Sequence, residues 1–165
     1  MSRDLHVAAA QLGPIQKSDS RTEVVARLIE LLRQAHSKKA ELVVFPELAL
    51  TTFFPRWFVD DITEADHWYE TEMPSKVTQP LFDEAKKLQV GFCLGYAELT
   101  ATKERFNTQI LLTATAIRSR NIARCTFRAT KSTSQIDRFN MLSVTTSLQV
   151  TKASEFGKLL VAELE

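Results

Sequence analysis

Leu42-Val43-Val44-Phe45, closed by Pro46 and followed by Glu47-Leu48, is the stretch on which the reading of this chain turns. Four apolar residues in a row, without polar alternation and ended by proline, read as a strand inside a covered sheet. Pro46 holds Phe45 extended and stiffens the exit from the strand. Upstream, Ser20 to Ser37 reads as a helix. Ser20 and Glu23 have capping-box spacing, in which each side chain satisfies the other's free backbone N–H. Val24, Val25, Leu28, Leu31, Leu32 and Ala35 then recur on one helical face, and Lys38 and Lys39 suit the negative end of the dipole. Before it, Asp4 to Leu12 carries the run His6-Val7-Ala8-Ala9-Ala10, stopped by Gly13-Pro14 and read as a buried strand. Downstream, Asp60 to Glu72 reads as a short helix stopped by Pro74, and Thr78 to Leu88 as another with Leu81, Phe82, Ala85 and Leu88 on one side. Val90 to Tyr96 is a third strand. Phe106 to Leu112 is a fourth, in hairpin position after Lys103-Glu104-Arg105. Apolar strands separated by amphipathic helices predict an α/β fold with helices covering a sheet.

The composition suits such a domain or a piece of a larger one. The chain has 165 residues, 44% of them hydrophobic and 25% charged, with a net charge of +1. That excludes a disordered or collagen-like chain. It gives no whole-chain reason to expect nucleic acid or an anionic membrane as partner. Cys93 and Cys125 are too few for a disulfide framework and lack metal-ligand spacing. No apolar run approaches the ~20 residues of a spanning helix. The start, Met-Ser-Arg-Asp, has no signal-peptide shape, so a cytoplasmic protein is expected.

Glu47 is the candidate catalytic residue. Site residues collect at strand ends in α/β sheets. A carboxylate there, flanked by apolar residues, is expected to be partly desolvated and hence a better base near neutral pH. On spacing alone the commoner alternative is a solvated or salt-bridged glutamate. Cys93, inside an apolar strand, reads as an inert small hydrophobe. His6, His36 and His67 are scattered, with no spaced acid or cysteine to pair with.

The stretch Val43-Val44-Phe45-Pro46-Glu47-Leu48-Ala49-Leu50 resembles the first catalytic motif of the nitrilase, or carbon–nitrogen hydrolase, superfamily. Thr51-Thr52-Phe53-Phe54-Pro55-Arg56-Trp57, Tyr69-Glu70-Thr71-Glu72-Met73-Pro74, Gly95-Tyr96-Ala97-Glu98-Leu99 and Arg105-Phe106-Asn107-Thr108 follow in order. Together they resemble the D-carbamoylases, the N-carbamoyl-D-amino-acid amidohydrolases, from about Leu5 to Leu112. The resemblance implies an α-β-β-α sandwich, usually in a homo-oligomer. It implies a Glu-Lys-Cys triad in which a thiolate attacks the carbamoyl carbon, the Glu is the general base and the Lys stabilises the oxyanion. Glu47 matches the Glu. The substrate implied is an N-carbamoyl-D-amino acid, released as D-amino acid, ammonia and carbon dioxide, with no metal or organic cofactor. Another amidase of the superfamily remains the alternative.

Beyond Leu112 the family pattern stops. No K-Y-R-K-x-H motif supplies the Lys. Cys125 lacks the C-N-D-R-R-W-P-E setting of the family's nucleophile, and reads as incidental. The character of the chain changes as well. No proline follows Pro80, Gly157 is the only glycine after Gly95, and Thr113 to Gln149 holds twelve Ser or Thr, six Lys or Arg and one acid. The genetic code offers an explanation. Asn121 to Arg128 can be written AAT ATC GCA AGG TGC ACT TTC CGG. Stepping back one base gives K-Y-R-K-V-H-F-P, the missing motif. The same shift permits a family-like, glycine- and proline-bearing text as far as Leu164. The expectation is therefore a truncated sandwich in two parts. Residues 1–112 are the front of a carbon–nitrogen hydrolase domain. Residues 113–165 are an out-of-frame, irregular tail ending short of the family's Cys, with local structure at most around Phe156 to Leu164. Such a chain is expected to be inactive and to leave apolar faces uncovered. A reading of a different class takes it as a non-catalytic module whose basic stretch, Thr113 to Arg138, docks nucleic acid or an acidic partner.

Overall fold

The computed structural model describes residues 5–113 and the backbone of residues 123–128. Its elements run β1 (Val7–Ala9), α1 (Arg21–Ser37), β2 (Leu42–Val44), 3-10 turns at Phe54–Arg56 and Ile62–Trp68, α2 (Gln79–Leu88), β3 (Gly91–Leu99), β4 (Arg105–Leu112) and β5 (Ala123–Arg128). The strands form one sheet in the order β1-β2-β3-β4-β5. β1, β2 and β3 are parallel, and β3, β4 and β5 are antiparallel neighbours. The mixed α/β sheet with helices is the architecture expected, and the described residues supply one helix layer on one sheet of the sandwich.

Alternation decides which side of the sheet the helices cover. Val43, Phe92 and Leu112 are register partners, so their side chains share a face. Phe45, Leu94, Tyr96 and Ile110 lie on that face too. They pack with Val24, Val25, Leu28 and Leu32 of α1 and Leu81, Phe82 and Ala85 of α2 in one core. Phe92 is fully buried, with its ring 5.1 Å from Phe82 and 6.0 Å from Phe45. The capping box at the start of α1 is present. Ser20 Oγ accepts from Glu23 N at 3.2 Å, and Glu23 Oε2 accepts from Ser20 N at 2.8 Å.

Several boundaries differ from the sequence reading, each for a local reason. Strand β1 is not buried. It is an edge strand whose Val7 is 53% exposed, while Ala8 turns in to the core. The expected helix over 60–72 is a shorter 3-10 turn. Asp61 accepts from Thr63 N at 2.9 Å at its start. After Trp68 the chain must straighten, because Glu70 N donates to Ala97 O and Leu99 N donates to Glu70 O, at 2.8 and 2.9 Å. Glu70 thus takes the place beside β3 beyond the point where β2 has stopped. Pairing with β4 as far as Leu99↔Arg105 carries β3 past the expected end at Tyr96, with Glu70 on its other side. Strand β5 was not expected. It lies within 113–165 and pairs with β4 from Phe106↔Arg128 to Leu111↔Ala123. The remainder of the tail, including Phe156 to Leu164, lies outside the described residues.

Candidate active site

The candidate site forms where β2 stops. Phe45 N still donates to Cys93 O at 2.9 Å, and Pro46 then removes the next donor. The chain turns through Glu47 to Leu50. Leu48 takes a left-handed φ of 49°, uncommon for a branched residue. Burial holds it there: Leu48 is 2% exposed and packs with Phe54, Ala65, Tyr69, Ala97 and Leu99. Ala49 N donates to Gly95 O at 2.9 Å, tying the turn to β3. Gly95 gives room for this approach. A Cβ there would lie 3.2 Å from Glu47 Cα, 3.3 Å from Leu48 N and 3.4 Å from Pro46 O.

Two of the quoted motifs meet at Glu47. Asn107 of β4 donates from Nδ2 to Glu47 Oε1 at 2.5 Å, across 60 residues of sequence. Glu47 itself is exposed, which corrects the expectation of a partly desolvated carboxylate. Its apolar sequence neighbours Phe45 and Leu48 are turned into the two cores and leave the carboxylate in solvent. The other candidates separate from it. Cys93 is buried in β3, opposite Leu111 and Val44. Cys125 is placed in β5 opposite Gln109. His6, His36 and His67 are all exposed. Among the described residues no cluster of His, Cys, Asp or Glu is arranged to hold a metal ion, and no helix is long and apolar enough to cross a membrane.

Ion pairs that the sequence reading missed pin the loop behind the site. Arg21, at the start of α1, meets Glu70 Oε1 through Nε at 2.5 Å and donates to the carbonyls of Leu50 and His67 at 3.1 and 3.3 Å. Arg105 places Nε and Nη2 on Asp66 Oδ1 at 2.7 and 2.6 Å. Burial pushes the Tyr69 hydroxyl well above the ordinary phenol range, with Arg105 acting in the opposite direction. Glu98 accepts from the Thr108 hydroxyl at 2.6 Å inside the protein. Beyond Leu50 a cleft of about 530 Å³ is lined by Lys17, Arg21, Thr51, Thr52, His67 and Trp68. Lys17 Nζ stands 3.9 Å over the Trp57 ring beside it. No spacing rule joins residues this far apart in the chain. The only signal for Asn107, Glu70 and Arg105 was their place in the quoted motifs.

A strand-end glutamate, oriented by a neighbouring strand in a half-sandwich of helices on a mixed sheet, defines the class: the front of a carbon–nitrogen hydrolase fold. The carbon–nitrogen hydrolase family profile matches residues 6–133, and the chain belongs to that family. The chain is similar in fold to a carbon–nitrogen hydrolase from Helicobacter pylori G27, with a TM-score of 0.56 and 18% identity over 74% of this chain. It is similar to Saccharomyces cerevisiae Nit3, of branch 10 of the nitrilase superfamily, with a TM-score of 0.53 and 22% identity over 67%. An N-terminal amidase in complex with a Gln-Gly peptide gives a TM-score of 0.54 and 18% identity over 78%. The chain spans 39%, 40% and 28% of those three proteins.

Proposed function

We propose that residues 5–112 are the front of a D-carbamoylase-type carbon–nitrogen hydrolase in which Glu47 is the general base. The observation that carries the reading is the Asn107–Glu47 contact, which joins two separately quoted motifs on one carboxylate. In the reaction, Glu47 would take the proton of a cysteine thiol as sulfur attacks the carbamoyl carbon, and a lysine would stabilise the oxyanion. Neither partner is in the family context in this chain. Residues 113–165 are accordingly read as out of frame, and the 165-residue protein does not turn over an N-carbamoyl-D-amino acid. The substrate class rests on the Thr51 to Trp57 neighbourhood.

A second reading draws on the family match, which runs past Leu112 to residue 133, and on strand β5. In it the chain stays in frame across that boundary and descends from a different amidase of the superfamily. The DNA around codon 112 separates the two. A codon path that lets the shifted text run on beyond codon 165 into a cysteine motif supports the first reading. Codons that spell no family-like text in the shifted frame support the second. Assay of the frame-restored gene product against N-carbamoyl-D-amino acids and against simple amides then tests the substrate class.

A further inference from the structure

We propose that Asn107 is the positioning residue for Glu47, and that Gly95 is the clearance that lets the two meet. The inference rests on the reading of Glu47 as the base and adds what aims it. Glu47 follows a strand of only three residues and is the exposed first residue of a turn whose next three residues are buried. A glutamate so placed has several free torsions and no fixed direction of its own. Among the described residues, the hydrogen-bond partner of its carboxylate is the Asn107 amide. Asn107 is well suited to fix a direction. It sits within β4, opposite Ala97 of β3 and Phe127 of β5, so a strand holds its backbone on each side. Gly95 pairs with Gln109, which puts it diagonal to Asn107 on the same face. With no side chain there, Pro46, Glu47 and Leu48 come down onto β3, within 3.4 Å of where a Cβ would stand.

The chemistry of the pair is that of an aimed base. An amide N–H can only donate, so it holds the carboxylate as an acceptor. It occupies Oε1 and leaves Oε2 to receive a proton. It carries no charge, so it orients Glu47 without forming the ion pair that a lysine or arginine would.

The side-chain amide signals of Asn107, followed by NMR in the whole 165-residue protein, test this without any turnover. The expected result is one Nδ2 proton shifted downfield and slow to exchange at neutral pH. Acid that protonates Glu47 should abolish the shift. In Glu47→Gln the amide signal should no longer respond to pH. Gly95→Ala should lose the shifted proton while the β3–β4 cross-strand contacts persist. Asn107 amide protons at exposed-asparagine positions, indifferent to acid in the unmodified protein, would overturn the proposal. So would an unchanged signature in Gly95→Ala, for the clearance. Full turnover by a Glu47→Gln form of the frame-restored protein would instead remove the base role assigned to Glu47 and leave the contact standing.

Discussion

Val43 and Val44 are neighbours in one strand, yet Val43 is wholly buried and Val44 is 36% exposed. They report on two faces of the same sheet. The face of Val43 is closed by α1 and α2 into a continuous core. On the face of Val44 the cover is partial: Val7 and Val44 are 53% and 36% exposed, whereas Leu42 and Cys93 on the same face are buried. Gly95 and Asn107 share that second face by register. The difference teaches where each property lives. The two helices close the first face throughout, and the candidate chemistry is laid on the face that is covered only in part.

If this contrast is right, mutations of similar size should have very different costs on the two faces. Phe92→Ala removes a ring wedged between Phe82 and Phe45, and should cost about 3–5 kcal/mol, read from the urea midpoint. Arg21→Ala should come next, at about 2–4 kcal/mol, because it strands the Glu70 carboxylate, which is 10% exposed. Ser20→Ala removes the N-cap of α1 and should cost about 1 kcal/mol. Val44→Thr, on the partly covered face, should stay within about 0.5 kcal/mol. A large loss from Val44→Thr, or a small one from Phe92→Ala, would break the contrast.

Acid sharpens the picture on the helix layer. Hydrogen bonds from the Ser20 hydroxyl and backbone hold the Glu23 carboxyl below its ordinary value of 4.5, and the Arg33 guanidinium does the same for Glu84. A carboxyl lowered in the folded state stabilises it above the unfolded value, and the contribution is lost as pH falls through the folded one. The stability of the protein, read as the midpoint of helix unfolding, should therefore begin to decline below about pH 4.5 in the unmodified protein. In Ser20→Ala that acid-linked loss should shrink, as followed by far-ultraviolet circular dichroism.

Much of the helix-covered face was legible in the sequence. The capping box, the apolar stripe of α1 and the run Leu42 to Phe45 are local signals, and each formed where its spacing put it. The short 3-10 turn at Ile62–Trp68 was not legible, since Glu70 leaves the turn to pair with β3, a partner distant in sequence. The exposure of Glu47 was misread for a related reason. Its sequence neighbours are apolar, but they face into cores and do not shield it. Glu47 was singled out by its place after a strand, whereas the role of Asn107 depends on β3–β4 register, which no local pattern encodes.

The most direct test sets two proteins side by side in an assay for ammonia released from an N-carbamoyl-D-amino acid. One is the 165-residue chain. The other is the product of the same gene with one base restored near codon 112 and reading continued in the restored frame. The expected result is no release by the first, release by the second, and loss of that release in its Glu47→Gln form. Turnover by the 165-residue chain alone, or a restored protein indifferent to Glu47→Gln, would contradict it.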